Sequence, residues 1–411
     1  MYKIIIIAIL SVGFLYEIAK HILSSIQKKK ALPYPVRNVY DEAEYKKWSA
    51  YSHERARAAI IEKSFAFVLM TSLLATDTYA LIYDILPGGE YVKSILLMLV
   101  FTAFFGVLSV PFEYYSGIKI EEKYGFNNSD TKTFMGDQIK GFIINCVLNV
   151  ALTCLVIWAY RLMGAWMFVL VYGVIALFII LFSMLSMTFQ KIFNKFEPLP
   201  EGKLRDTLTE MFEKSGYQLS DILVMNASLR TKKVNAFCTG LGKFKKIVLY
   251  DNLVNNYTNG EIAAVFAHEL GHYKHRDTLK LTVYNLFRIM VIVLAIAAVV
   301  MIPQISIDFG FADMSLVFAV IVLSSGVIDP ILTLVDIPLA FMSRKFEYRA
   351  DEMAVLKGYG EDMISALTKL SRDNLSNLNP HPIIVALEYT HPTLAWRIAS
   401  IQALMDLIKY K

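Results

Sequence analysis

Charged residues are scarce in this chain, and that scarcity limits the class of protein it belongs to. Asp, Glu, Lys and Arg make up 19% of the 411 residues, and 56% of the residues are hydrophobic. A soluble domain carries about a quarter charged residues, so the composition indicates a membrane protein with several spans and a substantial polar portion. The sequence has no basic arm and no recognised nucleic-acid motif, so we expect no nucleic-acid partner.

Cysteine is rarer still. The chain has only Cys146, Cys154 and Cys238, and it contains no C-x-x-C pair. This count predicts no disulfide framework and argues against a metal site built from cysteines. Histidine is also infrequent, with seven residues in the whole chain, which makes a regular spacing of histidines informative.

Long apolar segments occur seven times, each close to the roughly 20 residues that a membrane-spanning helix needs. They cover approximately residues 3–24, 64–87, 92–116, 140–160, 163–187, 281–303 and 314–341. The first segment also has the charged start of a signal peptide, but no small-x-small cleavage site precedes the lysines at 28–30, which favours a retained helix. Asp77 and Asp336 lie deep in their segments and are compatible with a hydrated internal space.

The connections between these segments alternate in charge. Those after the first, third, fifth and seventh segments are rich in Lys and Arg, whereas residues 88–91 and 303–313 have neither. The positive-inside rule then places the N-terminus outside and the C-terminus in the cytosol. An odd number of spans is required for this arrangement, in agreement with a count of seven.

The spans divide the chain into four segments. Residues 1–187 hold five membrane helices with cytosolic loops, 188–280 form a cytosolic polar region, 281–341 hold two further membrane helices, and 342–411 form a C-terminal cytosolic helical region. The polar region predicts a helix at 202–215 and strands at 222–225, 235–239 and 247–250, with a turn at Gly240 and Gly242. The last region should break near residues 379–382, where the chain reads N-P-H-P.

The stretch from His268 to His272 reads H-E-L-G-H. Thr258 and Glu261 form a T-x-x-E capping box ahead of it, which predicts a helix. Residues four apart share a helical face, so His268 and His272 can bind one metal ion, and Glu269 can act as general base on a water at that metal. The pattern predicts a zinc site with one Zn²⁺ per chain.

A catalytic zinc site needs a third protein ligand. His275 is only three residues beyond His272 and does not fit the spacing of a three-histidine site. Glu347 and Asp351 offer a better candidate, because they lie four apart in F-E-Y-R-A-D and share a helical face. One could bind zinc while the other orients a zinc-bound histidine. A solvated amphipathic helix is the alternative interpretation of the same spacing.

H-E-L-G-H followed by F-E-Y-R-A-D resembles the type I CAAX prenyl protease family of membrane zinc endopeptidases. Asn235-Ala236-Phe237 and His391-Pro392, with Arg397 beyond, also match, as do Y-G-F-N at 124–127 and V-Y-D at 39–41. The resemblance covers nearly the whole chain. Its fold would be a barrel of about seven transmembrane helices around a hydrated chamber, with a gluzincin-like cytosolic protease domain that has a small α+β part.

The resemblance also implies roles for particular residues. Glu347 matches the third zinc ligand, and Asp351 matches the acid behind the ligand histidines. The residues Asn235, Ala236 and Phe237 match a segment that contacts substrate, on what is expected to be an edge strand. His391 and Arg397 match a pair beside the scissile carbonyl; a helix start and a helix-end charge are the structural alternative for these two.

The expected function is a zinc endopeptidase that cleaves near the C-terminus of CAAX proteins, with prenylated proteins as the family's substrates. The expected location is the bacterial inner membrane or, in a eukaryote, the endoplasmic reticulum membrane, with the active site facing the cytosol. A general quality-control metalloprotease without prenyl specificity is the alternative. An intramembrane protease is disfavoured, because Lys274 and Arg276 follow the H-E-x-x-H motif at once.

Overall fold

The structure is a computed structural model. It describes residues 1–127, 129–190, 194–215, 222–229, 231, 234–239, 246–322 and 326–410. The turn predicted at Gly240 and Gly242 lies outside these described residues.

The N-terminal part of the chain is helical. Its helices are α1 Tyr2–Lys28, α2 Glu42–Ala75, α3 Thr78–Ile85, α4 Glu90–Tyr114, α5 Glu121–Lys123, α6 Thr131–Met163 and α7 Met167–Gln190. A π-helical turn, Tyr115–Ile120, joins α4 to α5. Between α6 and α7, Gly164 has a φ of +53°, a backbone conformation that favours glycine and lets the chain reverse there.

The second half of the chain contains the remaining helices and the sheet. The helices are α8 Lys203–Glu213, α9 Asp251–Asn256, α10 Asn259–Lys274, α11 Asp277–Val300, α12 Pro303–Asp308, α13 Leu316–Val322, α14 Asp329–Leu356, α15 Gly360–Asp373, α16 Pro382–Glu388 and α17 Leu394–Lys409. The strands are β1 Phe196–Pro198, β2 Ile222–Met225, β3 Ala236–Thr239 and β4 Lys246–Tyr250. The predicted helix at 202–215 and the break near 379–382 are both confirmed.

Five stretches of the described chain are helical, long enough and apolar enough to cross a membrane. They are Tyr2–Lys28, Glu42–Ala75, Glu90–Lys123, Thr131–Phe182 and Asp277–Val300, and the fourth contains α6 and most of α7. Within each apolar window only 6–22% of the residues are buried. The protein itself therefore covers little of this apolar surface, as expected for helices in a bilayer.

The long helices contact one another in a closed order. Helix α1 packs on α2, α4 on α6, α6 on α7, α7 on α11, α11 on α14, and α14 again on α1. The rings of Phe65 and Phe112 join α2 to α4, with centroids 5.5 Å apart. These contacts arrange the long helices in a ring, in agreement with the predicted barrel of about seven helices. The hydrated chamber inside it stays a prediction.

Two predicted spans are not single helices. The span at 64–87 is divided into α2 and α3 at Asp77, which has a φ of +56°. The span at 314–341 is divided into α13 and α14, and α14 continues as one helix to Leu356. Because α14 crosses the predicted boundary at residue 341, it joins the membrane part to the C-terminal part. The four-segment division stays a prediction.

The acidic residues predicted at membrane depth have basic partners. Asp77 forms an ion pair with Lys3 of α1, and Asp336 Oδ1 lies 3.2 Å from Arg288 Nε of α11. Pairing with a base reduces the cost of placing a carboxylate in a membrane. These two acids therefore fit the ring without an appeal to internal water.

A four-stranded sheet lies ahead of the H-E-x-x-H helix in the chain. Its strand order is β1-β2-β4-β3, with β2 parallel to β4 and the outer pairs antiparallel. The three predicted strands are present within one residue of their predicted bounds. The prediction missed β1, because three residues that end in Pro198 give no alternating pattern. Strand β3 lies at an edge, as expected for the Asn235 segment.

Helix α10 is the central element of the polar part. All of Ile262 through His268 are buried, and α10 packs against α8, α14 and α15. The closest approach is at Gly271, where an added Cβ would lie 2.7 Å from the Cα of Ala350 on α14. Only glycine allows this approach, and it brings the two helices that carry the candidate ligands together.

We expect Gly271→Ala to push α14 away from α10. The new methyl group meets backbone rather than a flexible side chain, so the strain should cost about 1–3 kcal/mol of stability. It should also reduce zinc bound per chain, because Ala350 lies between Glu347 and Asp351. Thermal unfolding and metal analysis of the purified protein measure both effects. Gly136→Ala in α6, with nothing within 4 Å of the added Cβ, is the control; an equal response of both variants would contradict the packing argument.

Candidate metal centre

The local sequence explains why both histidines face the same point. Thr258 Oγ1 accepts from the Glu261 N–H and Glu261 Oε2 accepts from the Thr258 N–H, which completes the predicted capping box of α10. One turn apart on this helix, His268 and His272 bring their Nε2 atoms to 3.2 Å. The helix therefore presents two imidazole nitrogens to a single position.

Helix α14 supplies the third candidate ligand. Glu347 Oε2 lies 3.5 Å from His268 Nε2, and Glu347 Oε1 lies 3.3 Å from His272 Nε2. One potential ligand atom from each of the three residues lies within 4.8 Å of the other two. Two candidate ligands that are close in sequence thus meet a third, Glu347, which lies 75 residues beyond His272.

Two carboxylates orient the imidazoles from behind. Asp351 Oδ1 lies 2.9 Å from His268 Nδ1, and Asp277 Oδ2 lies 3.1 Å from His272 Nδ1. An ionised carboxylate accepts hydrogen bonds only, so each Nδ1 carries a hydrogen and each Nε2 is turned toward the shared position. Both histidines are therefore oriented to bind a metal through Nε2.

The donor set fits a tetrahedral metal. Zinc–nitrogen distances of about 2.0–2.1 Å imply ligand-to-ligand separations of roughly 3.4 Å in a tetrahedron. The two Nε2 atoms are 3.2 Å apart, and each lies near one oxygen of Glu347: Oε1 is 3.3 Å from His272 and Oε2 is 3.5 Å from His268. Glu347 Oε2 is buried and has no hydrogen-bond partner. A buried carboxylate oxygen without a hydrogen bond is unfavourable, and metal coordination would satisfy it.

Arg397 is built into the back of the site. Its Nε donates to Asp351 Oδ2 at 2.8 Å and its Nη2 donates to Asp351 Oδ1 at 2.6 Å. Its third nitrogen, Nη1, lies 3.3 Å from Glu347 Oε2. The side chain is 10% exposed, so the guanidinium is engaged with the two carboxylates of α14 while it also lines the cavity described next.

Most of the predicted site residues line one cavity of about 200 Å³. From the predicted set it is lined by Asn235, Ala236, His268, Glu269, His272, Glu347, His391 and Arg397. His391 Nε2 lies 3.3 Å from Glu347 Oε1, and its side chain is 65% exposed. The cavity thus joins the candidate metal ligands, Glu269 and the edge of the sheet.

Phe237 lies elsewhere. Its ring packs edge-on against Tyr250 with centroids 6.3 Å apart, and it belongs to a cluster with Leu223, Met225 and Val248. Successive side chains of a strand point to opposite faces, so Ala236 on the cavity side places Phe237 on the other side. The geometry brings Asn235 and Ala236 to the metal centre and Phe237 to the core of the sheet.

The electrostatics favour ionised carboxylates. Burial raises the pKa of Glu347, but its hydrogen bond with His272 and the charges of His268 and Arg397 hold that pKa well below its usual range. Burial likewise opposes ionisation of Asp351, and Arg397 and His268 again lower the pKa. Both acids therefore remain negative at neutral pH.

Asp277 is a residue of the candidate metal centre that the sequence analysis missed. It is 2% exposed and receives hydrogen bonds from His272, Lys280 and Arg349. It lies five residues beyond His272, a spacing that one continuous helix would not place beside the imidazole. The chain turns at Arg276, where φ is +55°, and Asp277 opens α11. The only sequence signal was an acid directly after a basic run.

Comparison with known proteins places the chain in a family. A family model described as CAAX prenyl protease N-terminal, five membrane helices, matches residues 23–195, and a model for peptidase family M48 matches residues 198–405. The chain is 32% identical over 380 residues to the CAAX prenyl protease 1 homolog of Oryza sativa subsp. japonica, covering 86% of this chain and 88% of that protein.

The chain belongs to the type I CAAX prenyl protease family of M48 peptidases. It is also 26% identical to CAAX prenyl protease 1 of Saccharomyces cerevisiae, over 90% of this chain and 88% of that protein. The crystal structure of S. mikatae Ste24p has the same fold, with a TM-score of 0.87, 23% identity and coverage of 98% and 99% of the two chains. The protein is thus a multi-pass membrane metalloprotease.

The role of Asp277 can be tested through metal affinity. We expect Asp277→Asn to weaken zinc binding roughly 10- to 100-fold, because an amide is a poorer acceptor for the His272 N–H and reduces the basicity of Nε2. Competition with a chelator of known affinity measures the change. Glu352→Gln, at an exposed position, is the matched control, and equal affinities in the two variants would remove Asp277 from the metal centre.

The metal-free site should take up zinc with release of a proton. Burial lowers the pKa of His272, but its hydrogen bonds with Asp277 and Glu347 outweigh burial and raise the pKa to about 10. A metal ligand must be a neutral imidazole, so zinc displaces the His272 proton at pH 7, and the apparent affinity should rise about tenfold per pH unit between pH 6.5 and 8. Calorimetry in two buffers of different ionisation enthalpy counts the proton; heats independent of buffer would contradict this.

Proposed function

We propose that this protein is a zinc endopeptidase that cleaves CAAX proteins near their C-terminus, with prenylated proteins as its substrates. The observation that carries the proposal is the single cavity shared by His268, His272 and Glu347, the acid Glu269 and the edge of β3. A peptidase needs a metal, a base and a place for an extended peptide, and these three requirements meet there.

Zinc is the metal that the donor set favours. Two imidazoles and one carboxylate are the ligand set of catalytic zinc sites that keep one position open. Bound zinc would polarise the scissile carbonyl and lower the pKa of water. His268, His272 and Glu347 would hold it, and Asp351 and Asp277 keep the two imidazoles correctly oriented.

Glu269 is the proposed general base. It follows His268 directly on α10 and lines the same cavity, and its charge helps to raise the pKa of Arg397. An ionised carboxylate at this position takes a proton from the attacking water and then delivers it to the leaving amine. Replacement by Gln would retain the shape of the side chain and remove this proton transfer.

His391 and Arg397 have different proposed roles. His391 is largely exposed to the cavity, so its imidazole can donate a hydrogen bond to the oxygen of the scissile carbonyl as negative charge develops there. Arg397 gives two of its nitrogens to Asp351 and faces Glu347 with the third. These contacts favour a role in which Arg397 holds the two carboxylates in position, in addition to its predicted role near the scissile carbonyl.

The substrate would bind as an added strand on β3. The Asn235 carbonyl accepts from the Tyr250 N–H of β4, so the next N–H, that of Ala236, lies on the free edge of the strand. It donates to Asn235 Oδ1 at 2.9 Å. An extended peptide would replace this internal acceptor with its own carbonyl. Phe237, on the other face, supports the strand from behind.

The active site would face the cytosol, and the lipid bilayer would surround the ring of helices. Helix α10 lies directly before α11 and packs in one buried cluster with Tyr40, between α1 and α2, and Trp48, near the start of α2. The connections on this side carry most of the Lys and Arg. The positive-inside rule supports that side as cytosolic. The membrane would be the bacterial inner membrane or, in a eukaryote, that of the endoplasmic reticulum.

The test is cleavage of a farnesylated CAAX peptide by the full detergent-purified chain, beside the unprenylated peptide and the Glu269→Gln variant. We expect release of the tripeptide from the farnesylated peptide, and a loss of at least about 10²-fold in kcat with zinc retained in the variant. Equal cleavage of both peptides would instead support the quality-control alternative, and no cleavage of either would contradict the CAAX assignment.

A further inference from the structure

The short helix α16 ends just before His391, and a single side chain closes its end. The last carbonyls of a helix have no intrahelical donors. Arg344 Nη1 donates to the carbonyls of Val385 and Tyr389, both at 2.7 Å, and Nη2 donates to the carbonyl of Ala386 at 3.2 Å. One guanidinium therefore fixes both the end of α16 and the first residue beyond it.

This contact is linked to the metal centre through α14. Arg344 and Glu347 are three residues apart on that helix and lie on the same face. Glu347 Oε1 is 3.3 Å from His391 Nε2, and His391 lies two residues beyond Tyr389. One turn of α14 thus holds the segment 389–391 at both ends. Arg344 binds the backbone carbonyl of Tyr389, and Glu347 contacts the side chain of His391.

His391 has little packing of its own to fix its position. Its side chain is 65% exposed, and its Nδ1 contacts the neighbouring Thr390 Oγ1 at 3.0 Å. The direction of the imidazole therefore depends on where the backbone of segment 389–391 lies. A second contact holds α16 through a side chain rather than through its backbone. Glu388 Oε1 accepts hydrogen bonds from Tyr16 and Lys20 of α1 at 2.8 and 3.2 Å.

We propose that Arg344 is a positioning residue for the peptidase reaction. It holds the backbone ahead of His391 so that the imidazole reaches the reacting carbonyl in register with Glu347. This inference rests on the role proposed above for His391. A lysine could not replace Arg344, because an ammonium group lacks the planar fork that reaches three carbonyls at once.

The test compares Arg344→Gln, Arg344→Lys and Lys345→Gln in the full detergent-purified chain. Lys345 is the matched control, because it is the adjacent residue of α14, is exposed and interacts with the ring of Phe341. A displacement of about 1 Å at a reacting group costs up to roughly 10²-fold in rate. We expect Arg344→Gln to lower kcat roughly 10- to 100-fold with KM and bound zinc unchanged, Arg344→Lys to restore only part of this, and Lys345→Gln to match the wild type.

Two further arms separate positioning from general stability. In a His391→Ala background, Arg344→Gln should lower kcat less than about twofold further, because the two residues act as one unit. Hydrogen exchange followed by mass spectrometry should show faster exchange of the 386–391 amides in Arg344→Gln and unchanged exchange in Lys345→Gln. Fully additive losses, loss of zinc, or unchanged exchange at 386–391 would overturn the proposal. The hydrogen-exchange measurement tests whether Arg344 holds the 386–391 backbone even if neither CAAX peptide is cleaved. An absence of cleavage would count against the proposed function alone.

Discussion

Two carboxylates buried one turn apart on α14 are the constraint on which the rest of the metal centre depends. Asp351 is 1% exposed and Glu347 is 6% exposed, and a buried charge is strongly unfavourable unless it is paired. Arg397 supplies one positive charge, but Glu269 adds a third negative one at the same cavity. With both imidazoles neutral, a guanidinium and a bound divalent cation would together balance these three carboxylates.

Helix α14 also connects the ring of long helices to the metal centre. Helix α14 begins in the ring beside α1 and α11 and ends at Leu356 beyond both carboxylates. Its position against α10 is fixed where Gly271 meets Ala350, because two helices approach this closely only over small residues. The metal centre is therefore assembled between a helix that is buried in the polar part and a helix that begins in the ring of long helices.

The parts of this site that could be predicted from the sequence are those whose geometry is local. His268 and His272 follow from helical spacing, and the capping box of α10 follows from Thr258 and Glu261, because a helix repeats with a fixed period. Glu347 and Asp351 were recognisable as a pair with one shared face. Their distance in sequence from His272 meant that only the family resemblance assigned each its role.

What escaped prediction depends on single backbone torsions. Asp277 contacts His272 because the chain turns at Arg276, and no sequence pattern announced that left-handed residue. The direction of Phe237 depends on which residue of β3 first faces the cavity, and a shift of one residue would reverse it. The division of the spans at Asp77 has the same origin. In each case the residue type was visible, but its neighbour in space was not.

If β3 binds substrate as proposed, its edge must stay free for a peptide without pairing with other chains. Unpaired N–H groups on such an edge invite association. In β3 the edge N–H of Ala236 donates a hydrogen bond to the side chain of Asn235. A peptide carbonyl would replace that side chain as the acceptor. A short strand of four residues further limits what can pair with it. Under the proposed function, the edge is protected from pairing with other chains but open to a peptide that also reaches His268, His272 and Glu347. Backbone recognition and cleavage would then select the same extended segment.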